Sequence, residues 1–460
     1  MKTTQLIENI FKKFLPSPFT IAILLTFITF ILGVFCTKPE SSSLSGYFSE
    51  VLSFWENGIW TNGLLVFAYQ MMLILVLGHV LVLSKPASRL ILKVTKYCIN
   101  TATSAAIVSC STMLIAFFNW GLGLIFGALL ARKVAEHAQL KNIPLNYPII
   151  GAAGYVGLMV WHGGISGSAP IKINEAGHIK NMMKSVSSEQ VLYQIPELID
   201  YSETIFSWWN LIIFLCVLTG VTLTFYLLGK KSSETYINLP VYNLNAEEKA
   251  GSVAEKLDTS KWLAYVFGGV ILIAFLYQYH KDILTLKITP NLINFFMLGL
   301  GIILHGSFKK FTKAVGESIS DVSGILIQFP LYFGIIGIMK GTGMVTLISD
   351  FFVSVSNATT LPIFTFFSAG LVNIFVPSGG GQWVVQGPIV VKSALQLGVP
   401  LPKAIMAMAY GDQVTNMLQP FWALPLLGIT RLKAREILPY TLIAMIVGSA
   451  IYLLGLVLFN

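Results

Sequence analysis

The stretch NIFVPSGGGQWVVQGPI, from Asn373 to Ile389, lies in a long apolar region and yet contains two prolines and three consecutive glycines. Hydrocarbon cannot hydrogen-bond backbone groups, so irregular backbone at membrane depth is tolerated only where it is buried in protein or lines a wet cavity. The flanking apolar arms, Leu361–Val376 and Trp383–Leu395, are short for spans, which need about 20 apolar residues. The pattern therefore predicts a re-entrant hairpin over residues 361–395 with the glycines in its turn. The alternative is a short loop outside the membrane between two spans.

The composition around this stretch is that of a polytopic membrane protein. Of the 460 residues, 55% are hydrophobic and 11% are charged, whereas soluble domains have about 25% charged residues. Lys and Arg in cytoplasmic loops explain the net charge of +9, so no nucleic-acid partner is required. The four cysteines are scattered along the chain and indicate neither a disulfide framework nor a metal site.

Nine apolar segments are predicted to cross the membrane, and two further stretches are predicted to form re-entrant hairpins. The hairpins cover residues 102–131 and 361–395, and two interrupted spans cover residues 147–171 and 404–428. The first apolar run is too long for the core of a signal peptide, so we interpret it as a retained span. The uninterrupted predicted spans are Leu15–Cys36, Ile59–Leu83, Thr204–Leu228, Trp262–Tyr279, Pro290–Gly306, Val322–Met339 and Ile437–Phe459.

Two parts of the chain are weakly similar to each other. Pro144 in IPLNYPIIGAAGY aligns with Pro400 in VPLPKAIMAMAYG, an offset of 400 − 144 = 256. The same offset aligns residues 85–100 with residues 341–356, and each of these stretches is predicted to be an amphipathic helix in the membrane interface. Weak internal symmetry of this kind is typical of many secondary transporters.

The predicted fold class is an all-α polytopic membrane protein with two inverted repeats. Residues 1–228 form the first repeat, residues 229–261 a polar cytoplasmic linker, and residues 262–460 an extra helix and the second repeat. An odd number of crossings precedes the second repeat, so it starts on the opposite side of the membrane. Most of the 30 Lys and Arg residues then lie in inner segments, as the positive-inside rule requires. The N-terminus is therefore predicted to be cytoplasmic and the C-terminus periplasmic.

Polar and helix-breaking residues stand at both hairpin tips and in both interrupted spans. A broken helix exposes half-helix N-termini, which favour anions, and free carbonyl groups, which favour cations. We therefore expect these segments to bind an anionic substrate near the middle of the membrane. The predicted substrate-binding residues are Asn119, Trp120 and Gly121 in the first tip, His162, Gly163, Gly164 and Ser166 in the first break, Ser378, Gly379, Gly380, Gly381 and Gln382 in the second tip, and Thr415 and Asn416 in the second break.

Asp412 is a carboxylate in an otherwise uncharged predicted span. An ionisable group inside the membrane costs at least about 2.5–3.5 kcal/mol on insertion scales, so its presence indicates a function. We expect it to couple transport to H⁺ or Na⁺, with a Na⁺ site near Asp412 and Asn416; the alternative is a helix start near the surface. His162 either titrates near neutral pH and donates to a carboxylate or is a satisfied interior histidine.

The remaining side chains narrow the chemistry further. No Walker-type phosphate loop, HExxH, GxSxG or Cys/His cluster occurs in the sequence, so neither an enzyme nor an ATP-driven pump is predicted. No cofactor is expected apart from the coupling ion. No Lys or Arg lies in either hairpin tip or either break, which suits a small monoanion better than a di- or tricarboxylate. Four tryptophans could wall an apolar pocket for its tail or anchor helices at the interface, and these are Trp120, Trp161, Trp383 and Trp422.

Four motifs carry a resemblance to a known family, and they are KFLPSPFTIAILLTFITF (Lys13–Phe30), WHGGISGSAPI (Trp161–Ile171), PSGGGQWVVQGPIVV (Pro377–Val391) and YGDQVTNMLQPFW (Tyr410–Trp422). Together they resemble the bacterial short-chain fatty acid transporter family, within the wider ion-transporter superfamily, over essentially the whole chain. The resemblance implies a symporter of short-chain monocarboxylates such as butyrate or acetoacetate in the bacterial inner membrane. Analogy with the superfamily implies an elevator motion of the hairpin-bearing domain against a scaffold homodimer, a weaker argument than the motifs themselves.

Two other functions stay open. The same architecture could carry another organic anion, such as a dicarboxylate or an aminoacyl compound, or a drug. The protein could also be an anion channel, which would pass its substrate down a gradient without saturation or counterflow.

Overall fold

The computed structural model describes residue 13 and residues 16–84, 86, 94–184, 189–239, 252–284 and 289–459. Over these residues the chain is helical, apart from turns, irregular segments and an isolated antiparallel bridge between Leu145 and Thr235. Much of the predicted interface helix at residues 85–100 and part of the predicted linker lie outside the described residues.

The described α-helices, numbered in chain order, are α1 (Pro18–Cys36), α2 (Leu44–Ile59), α3 (Asn62–Leu83), α4 (Thr101–Phe118), α5 (Trp120–Lys141), α6 (Tyr147–Tyr155), α7 (Ser168–Ile173), α8 (His178–Met183), α9 (Glu189–Gln194), α10 (Trp208–Lys230), α11 (Val253–Asp258), α12 (Lys261–Leu284), α13 (Pro290–His305), α14 (Phe308–Ser318), α15 (Ser323–Gly341), α16 (Met344–Ser354), α17 (Leu361–Phe375), α18 (Gly379–Leu397), α19 (Leu401–Thr415), α20 (Pro420–Thr430) and α21 (Ala434–Leu458). Four short 3₁₀ segments accompany them, at Val156–Met159, Tyr201–Glu203, Ile319–Val322 and Asn416–Leu418.

Seven of these helices are long and apolar enough to cross a membrane. Six of the seven, α1, α3, α10, α12, α15 and α21, match uninterrupted predicted spans. The seventh long helix is α4, the first arm of the first predicted hairpin, and the remaining predicted span is the shorter helix α13, of 16 residues. The prediction of an all-helical polytopic membrane protein is therefore confirmed.

Helix α2 was not predicted, because polar residues separate its apolar residues along the sequence. The apolar residues share one face of the helix but form no apolar run. Its apolar face packs against α15 at very close range. A Cβ atom at Gly58 would lie 2.5 Å from the carbonyl oxygen of Phe333, and one at Gly337 would lie 2.2 Å from that of Phe54. Glycine is required at both positions because the two backbones touch, as small residues permit in membrane proteins.

Both predicted hairpins are observed as pairs of packed helices. In the first, only Asn119 separates α4 from α5, and its side chain accepts a hydrogen bond from the N–H of Leu122 (3.0 Å). In the second, the turn is residues 376–378, and Gly379–Gly381 form the first turn of α18. The prediction that the glycines form the turn is wrong, because Ser378 caps a helix that begins at the first glycine. Re-entry of the hairpins into the membrane stays a prediction.

Each hairpin packs directly on one of the two broken helices. A Cβ atom at Gly127 in α5 would lie 2.0 Å from the carbonyl oxygen of Gly154 in α6, and one at Gly411 in α19 would lie 2.0 Å from that of Phe366 in α17. These contacts join α4–α5 to the broken helix α6–α7 and α17–α18 to the broken helix α19–α20. The order hairpin, broken helix, long helix occurs twice, ending in α10 and α21. Opposite orientation of the two sets stays a prediction.

A segment that we call the cap, residues 168–184, covers the second hairpin. It contains α7 and α8, whose side chains Ile173, Ile179 and Met183 are fully buried. They lie in one apolar cluster with Trp383 and Val390 of α18. The cap begins where the first break ends, so it connects the first broken helix to the second hairpin.

Candidate functional site

The first break, residues 161–168, is the place where the irregular segments meet. Its contact with the first hairpin tip is through backbone and hydroxyl groups. The N–H of Ile165 donates to the carbonyl oxygen of Phe117 (2.8 Å), and the N–H of Trp120 donates to Oγ of Ser166 (2.9 Å). The helix-breaking sequence of the first break therefore forms hydrogen bonds with the end of α4 and the start of α5.

The second broken helix satisfies other backbone groups of the same break. The side-chain oxygen of Gln413 accepts hydrogen bonds from the N–H groups of His162 (2.8 Å) and Gly163 (2.9 Å). The amide of Asn210 donates to the carbonyl oxygen of Gly163 (3.0 Å) and accepts from the hydroxyl of Tyr410 (2.6 Å). Gln413, Asn210 and Tyr410 were not predicted as site residues, because amides and phenols inside helices are common in membrane proteins and carry no signal of their partner.

The central contact is between His162 and Asp412. The Nδ1 atom of the imidazole lies 2.5 Å from Oδ2 of the carboxylate, and both side chains are buried. The N–H of Ala169 donates to Nε2 of His162 (3.1 Å), so Nε2 carries a lone pair and the proton is on Nδ1. His162 is therefore a neutral donor to Asp412, and its tautomer is assigned by a backbone group at the start of the cap.

The other carboxylate oxygen of Asp412, Oδ1, has no hydrogen-bond partner among the described residues. Asp412 is 1% exposed and lies in the last turn of α19, beside the second break. The alternative of a helix start near the surface is therefore wrong. A buried polar atom without a partner is costly, and a charged one more so. This oxygen is consequently suited to hold a proton or to contact a cation.

The second hairpin tip lies directly on this pair. A Cβ atom at Gly379 would be 2.7 Å from Cη2 of Trp161 and 2.8 Å from Cε1 of His162. A Cβ atom at Gly380 would have Oγ of Ser168 as its nearest neighbour, at 3.8 Å. Close approach therefore requires glycine at 379, whereas there is room for a side chain at 380.

Two other predicted residues of this tip have structural roles. Oγ of Ser378 accepts from the N–H of Gly381 (3.2 Å), which leaves the hydroxyl proton of Ser378 able to donate. The amide nitrogen of Gln382 is fully buried between the arms of the hairpin, where it donates to the carbonyl oxygen of Ala369 (2.9 Å) and to Oε1 of Gln386 (2.8 Å). Gln382 therefore holds the two helices together through its amide nitrogen. Its Oε1 atom has no hydrogen-bond partner among the described residues.

The second break forms an oxygen-rich cluster around Asn373 of α17. The Nδ2 atom of Asn373 lies 2.9 Å from the carbonyl oxygen of Asp412, 3.0 Å from Oγ1 of Thr415 and 2.8 Å from Oδ1 of Asn416. One amide group has two hydrogens for these three oxygens. Carbonyl and side-chain oxygens at a helix break are ligands that Na⁺ takes in transporters, and a Na⁺ site near Asp412 and Asn416 stays a prediction.

Aromatic rings line the other side of the first break. The ring of Trp120 lies 6.1 Å from that of Trp161, 5.2 Å from that of Trp422 and 6.2 Å from that of Phe67, between centroids. Trp383 lies apart from these rings, and its indole N–H donates to Nε2 of His178 in the cap (3.1 Å).

Two predicted glycines lie next to backbone or side-chain oxygens. In the first tip, a Cβ atom at Gly121 would be 3.5 Å from Oδ1 of Asn119. Gly164 contacts the backbone of α4, since a Cβ there would lie 2.3 Å from the carbonyl oxygen of Phe117.

One basic residue reaches the second tip from another helix. Lys340 is exposed, in the last turn of α15, and its Nζ atom lies 3.8 Å from the position of a Cβ atom on Gly381. No basic residue was expected at the tips, because the sequence shows only their neighbours along the chain. A lysine at the end of an apolar span is ordinary, so no pattern in the sequence could have identified it.

Comparisons with known proteins agree over the full chain. A family model described as short chain fatty acid transporter matches residues 1–459. A Haemophilus influenzae protein is 34% identical over 463 residues, covering 99% of each chain, and an Escherichia coli protein is 34% identical over 474 residues, covering 100% of this chain and 99% of its own. Both have the provisional name of short-chain fatty acid transporter.

Two solved transporters show a distant likeness. The Alcanivorax borkumensis YdaH transporter is 15% identical, with 96% of this chain and 98% of its own covered at a TM-score of 0.40. Neisseria gonorrhoeae MtrF, of a class of antimetabolite efflux pumps, is 16% identical, with 98% and 96% covered at a TM-score of 0.35. At these scores neither likeness carries an argument.

Proposed function

The chain belongs to the short-chain fatty acid transporter family, and from this premise we propose that it is a cation-coupled secondary carrier of short-chain monocarboxylates. The observation that supports the proposal most is that both hairpin tips and the second broken helix meet at the first break, which carries His162. In a coupled carrier, binding at the substrate site must change the affinity of the coupling site, and the reverse. Here Gly379 of the second tip contacts the same imidazole that donates to Asp412.

The proposed carboxylate site is the start of α18. The first N–H groups of a helix have no acceptor within the helix, and their dipoles favour an anion. Gly379 and Gly380 provide such groups, and the hydroxyl of Ser378 has a proton to donate. The short acyl tail would lie against the rings of Trp120, Trp161 and Trp422, with Asn119 at the first tip supplying a further amide.

The proposed coupling site is Asp412. Its unpartnered Oδ1 would take a proton, and the oxygens of Asp412, Thr415 and Asn416 around Asn373 would hold Na⁺. In both cases a positive charge enters beside the buried carboxylate and offsets the negative charge that the substrate brings. By analogy with the superfamily, the hairpin-bearing part would then slide against a dimeric scaffold containing α1, α2 and α15, in the inner membrane and with the N-terminus in the cytoplasm.

The test is uptake of labelled butyrate into proteoliposomes, with Na⁺ and pH gradients imposed separately. Saturable uptake that one gradient drives, that unlabelled butyrate exchanges by counterflow and that succinate does not inhibit is the expected result. Strong inhibition by succinate would favour a dicarboxylate carrier instead. Uptake without saturation or counterflow would favour a channel. Ser378→Ala is expected to reduce butyrate uptake at least about tenfold, because it removes a hydrogen bond to a charged group, while the protein still inserts into the membrane.

A further inference from the structure

Lys340 has a position that the family resemblance did not anticipate. Helix α15, which carries it, is held by α1 and α2: a Cβ atom at Gly33 of α1 would lie 3.2 Å from Ile338, and α2 touches α15 at Gly337. The ammonium group extends from this helix to the second tip, 3.8 Å from the Cβ position of Gly381. It therefore reaches the proposed carboxylate site from outside the two hairpins and two broken helices.

Among the described residues Lys340 forms no ion pair. The acidic group that contacts the tip's neighbour His162 is Asp412, which is buried and whose carboxylate lies against Nδ1, the ring atom 3.1 Å from the Cβ position of Gly379. An exposed ammonium beside a helix N-terminus with a serine hydroxyl forms a set of donors that suits a carboxylate, and charged hydrogen bonds of this kind are about twice as strong as neutral ones.

We propose that Lys340 is the cationic partner of the substrate carboxylate at the second hairpin tip, and that it determines the preference for anions over uncharged molecules of the same shape. This rests on the proposed function, since it assigns a specificity-determining residue to that site. The tips and breaks, which contain no Lys or Arg, then suffice for a small monoanion because α15 supplies the positive charge.

The experiment compares the purified full-length protein with three variants in lipid nanodiscs, reading tryptophan fluorescence during titration. The probes are butyrate, its uncharged amide butyramide, and succinate. Lys340→Gln removes the charge and Lys340→Arg keeps it. Lys392→Gln is the matched control, because Lys392 is an exposed lysine of α18 near the opposite end of that helix from the tip.

Lys340→Gln is expected to weaken butyrate binding about tenfold, as loss of one charge-assisted hydrogen bond does, and to leave butyramide binding unchanged. Lys340→Arg and Lys392→Gln are expected to bind both ligands like the parent protein. Unchanged butyrate affinity in Lys340→Gln, or an equal loss for butyrate and butyramide, would overturn the inference.

The outcome separates this inference from the proposed function. If the parent protein binds succinate and not butyrate, the monocarboxylate proposal fails, and the same Lys340→Gln comparison is read on succinate. If the parent protein binds neither anion, both proposals fail. If Lys340→Gln binds normally while the parent protein carries butyrate, only the role of Lys340 is rejected.

Discussion

Asp412 and His162 form a buried contact in which the two carboxylate oxygens have different surroundings. One carboxylate oxygen is bound by an imidazole N–H, and the other has no partner among the described residues. If the imidazole proton moved from Nδ1 to Nε2, the N–H of Ala169 would lose its acceptor. The free energy of the site therefore depends on what contacts Oδ1, and the proposed coupling role of Asp412 rests on this oxygen.

The first prediction concerns the charge of this residue. Asp412→Asn keeps the shape of the side chain and removes its ability to exchange a proton or attract a cation. Gradient-driven butyrate uptake is expected to fall at least about a hundredfold, since loss of a buried charged partner costs about 2–5 kcal/mol. Asp350→Asn, at an exposed position of α16, is the control and should transport normally. Full gradient-driven uptake by Asp412→Asn would remove this residue from the coupling mechanism.

At the scale of elements, the second hairpin is fitted to the first break by a single glycine. A Cβ atom at Gly379 would lie less than 3 Å from Trp161 and His162, whereas the nearest atom to a Cβ at Gly380 is Oγ of Ser168, at the ordinary contact distance of 3.8 Å. Within one helix turn, an added side chain is therefore expected to clash at position 379 and to be tolerated at position 380. This difference follows from packing across the chain and is invisible in the run of three identical residues.

The second prediction uses that pair. Gly379→Ala is expected to push the tip away from Trp161 and His162, because overpacking costs about 1–3 kcal/mol, and to lower uptake strongly. Gly380→Ala is expected to preserve uptake and to raise the thermal unfolding temperature slightly, because replacing glycine stiffens the unfolded chain. Uptake rates and unfolding temperatures of the two variants in one detergent provide the measurement. Equal effects at both positions would contradict the close contact between the tip and the first break.

The third prediction concerns the cap. The N–H of Trp383 donates to Nε2 of His178, so this nitrogen must be unprotonated. Burial lowers the pKa of His178 below its usual range; nearby Glu175 raises it and Lys172 lowers it further. The hydrogen bond is thus present at neutral pH and is lost as the pH falls through this lowered pKa, because protonation removes the acceptor.

Hydrogen exchange measures this effect directly. As the pH is lowered through the pKa of His178, the peptides that cover residues 174–183 are expected to exchange faster in the parent protein than in His178→Gln, whose side chain keeps an acceptor that does not titrate. At pH 7.5 the two proteins are expected to exchange alike, and comparing them at the same pH cancels the intrinsic rates. Identical exchange at every pH from 7.5 down to the pH at which the parent protein unfolds would show that the bond does not hold the cap on the second hairpin.

At the scale of the whole molecule, two kinds of contact can be compared. Helices α2 and α15 touch through backbone at Gly58 and Gly337, which leaves no room for sliding. The long side chain of Lys340 brings α15 to the second tip, with Nζ 3.8 Å from the Cβ position of Gly381. If the hairpins move as a body during transport, the contact at the tip must break while the contact between α2 and α15 remains.

The fourth prediction tests that motion in a protein whose four native cysteines are replaced by serine. A short bis-maleimide joining Lys340→Cys to Gly381→Cys is expected to stop the uptake that the same double variant shows before cross-linking, because it ties the second tip to α15. The control joins Phe54→Cys to Gly341→Cys, where the phenyl ring of Phe54 meets the Cβ position of Gly341, and should leave uptake intact. Transport that continues with the tip cross-linked would contradict an elevator motion.

Local sequence patterns were enough to establish the class of the protein and the position of most of its elements. Apolar runs, prolines and glycines act on the backbone within a few residues of themselves, so the hairpins, the breaks and six continuous spans could be read in order. Helix α2 could not, because an amphipathic helix has no apolar run. The family, too, was recognisable from local motifs such as that at Pro377–Val391.

Which polar groups meet became visible only in the folded chain. His162 and Asp412 are 250 positions apart, and Gln413, Asn373 and Lys340 reach their contacts from three different helices. A polar side chain inside a helix needs some partner, but its own residue type does not specify which distant helix supplies that partner. Which helix supplies the partner depends on how closely the helices pack, at glycines such as Gly379 and Gly411. This packing exists only in the folded chain.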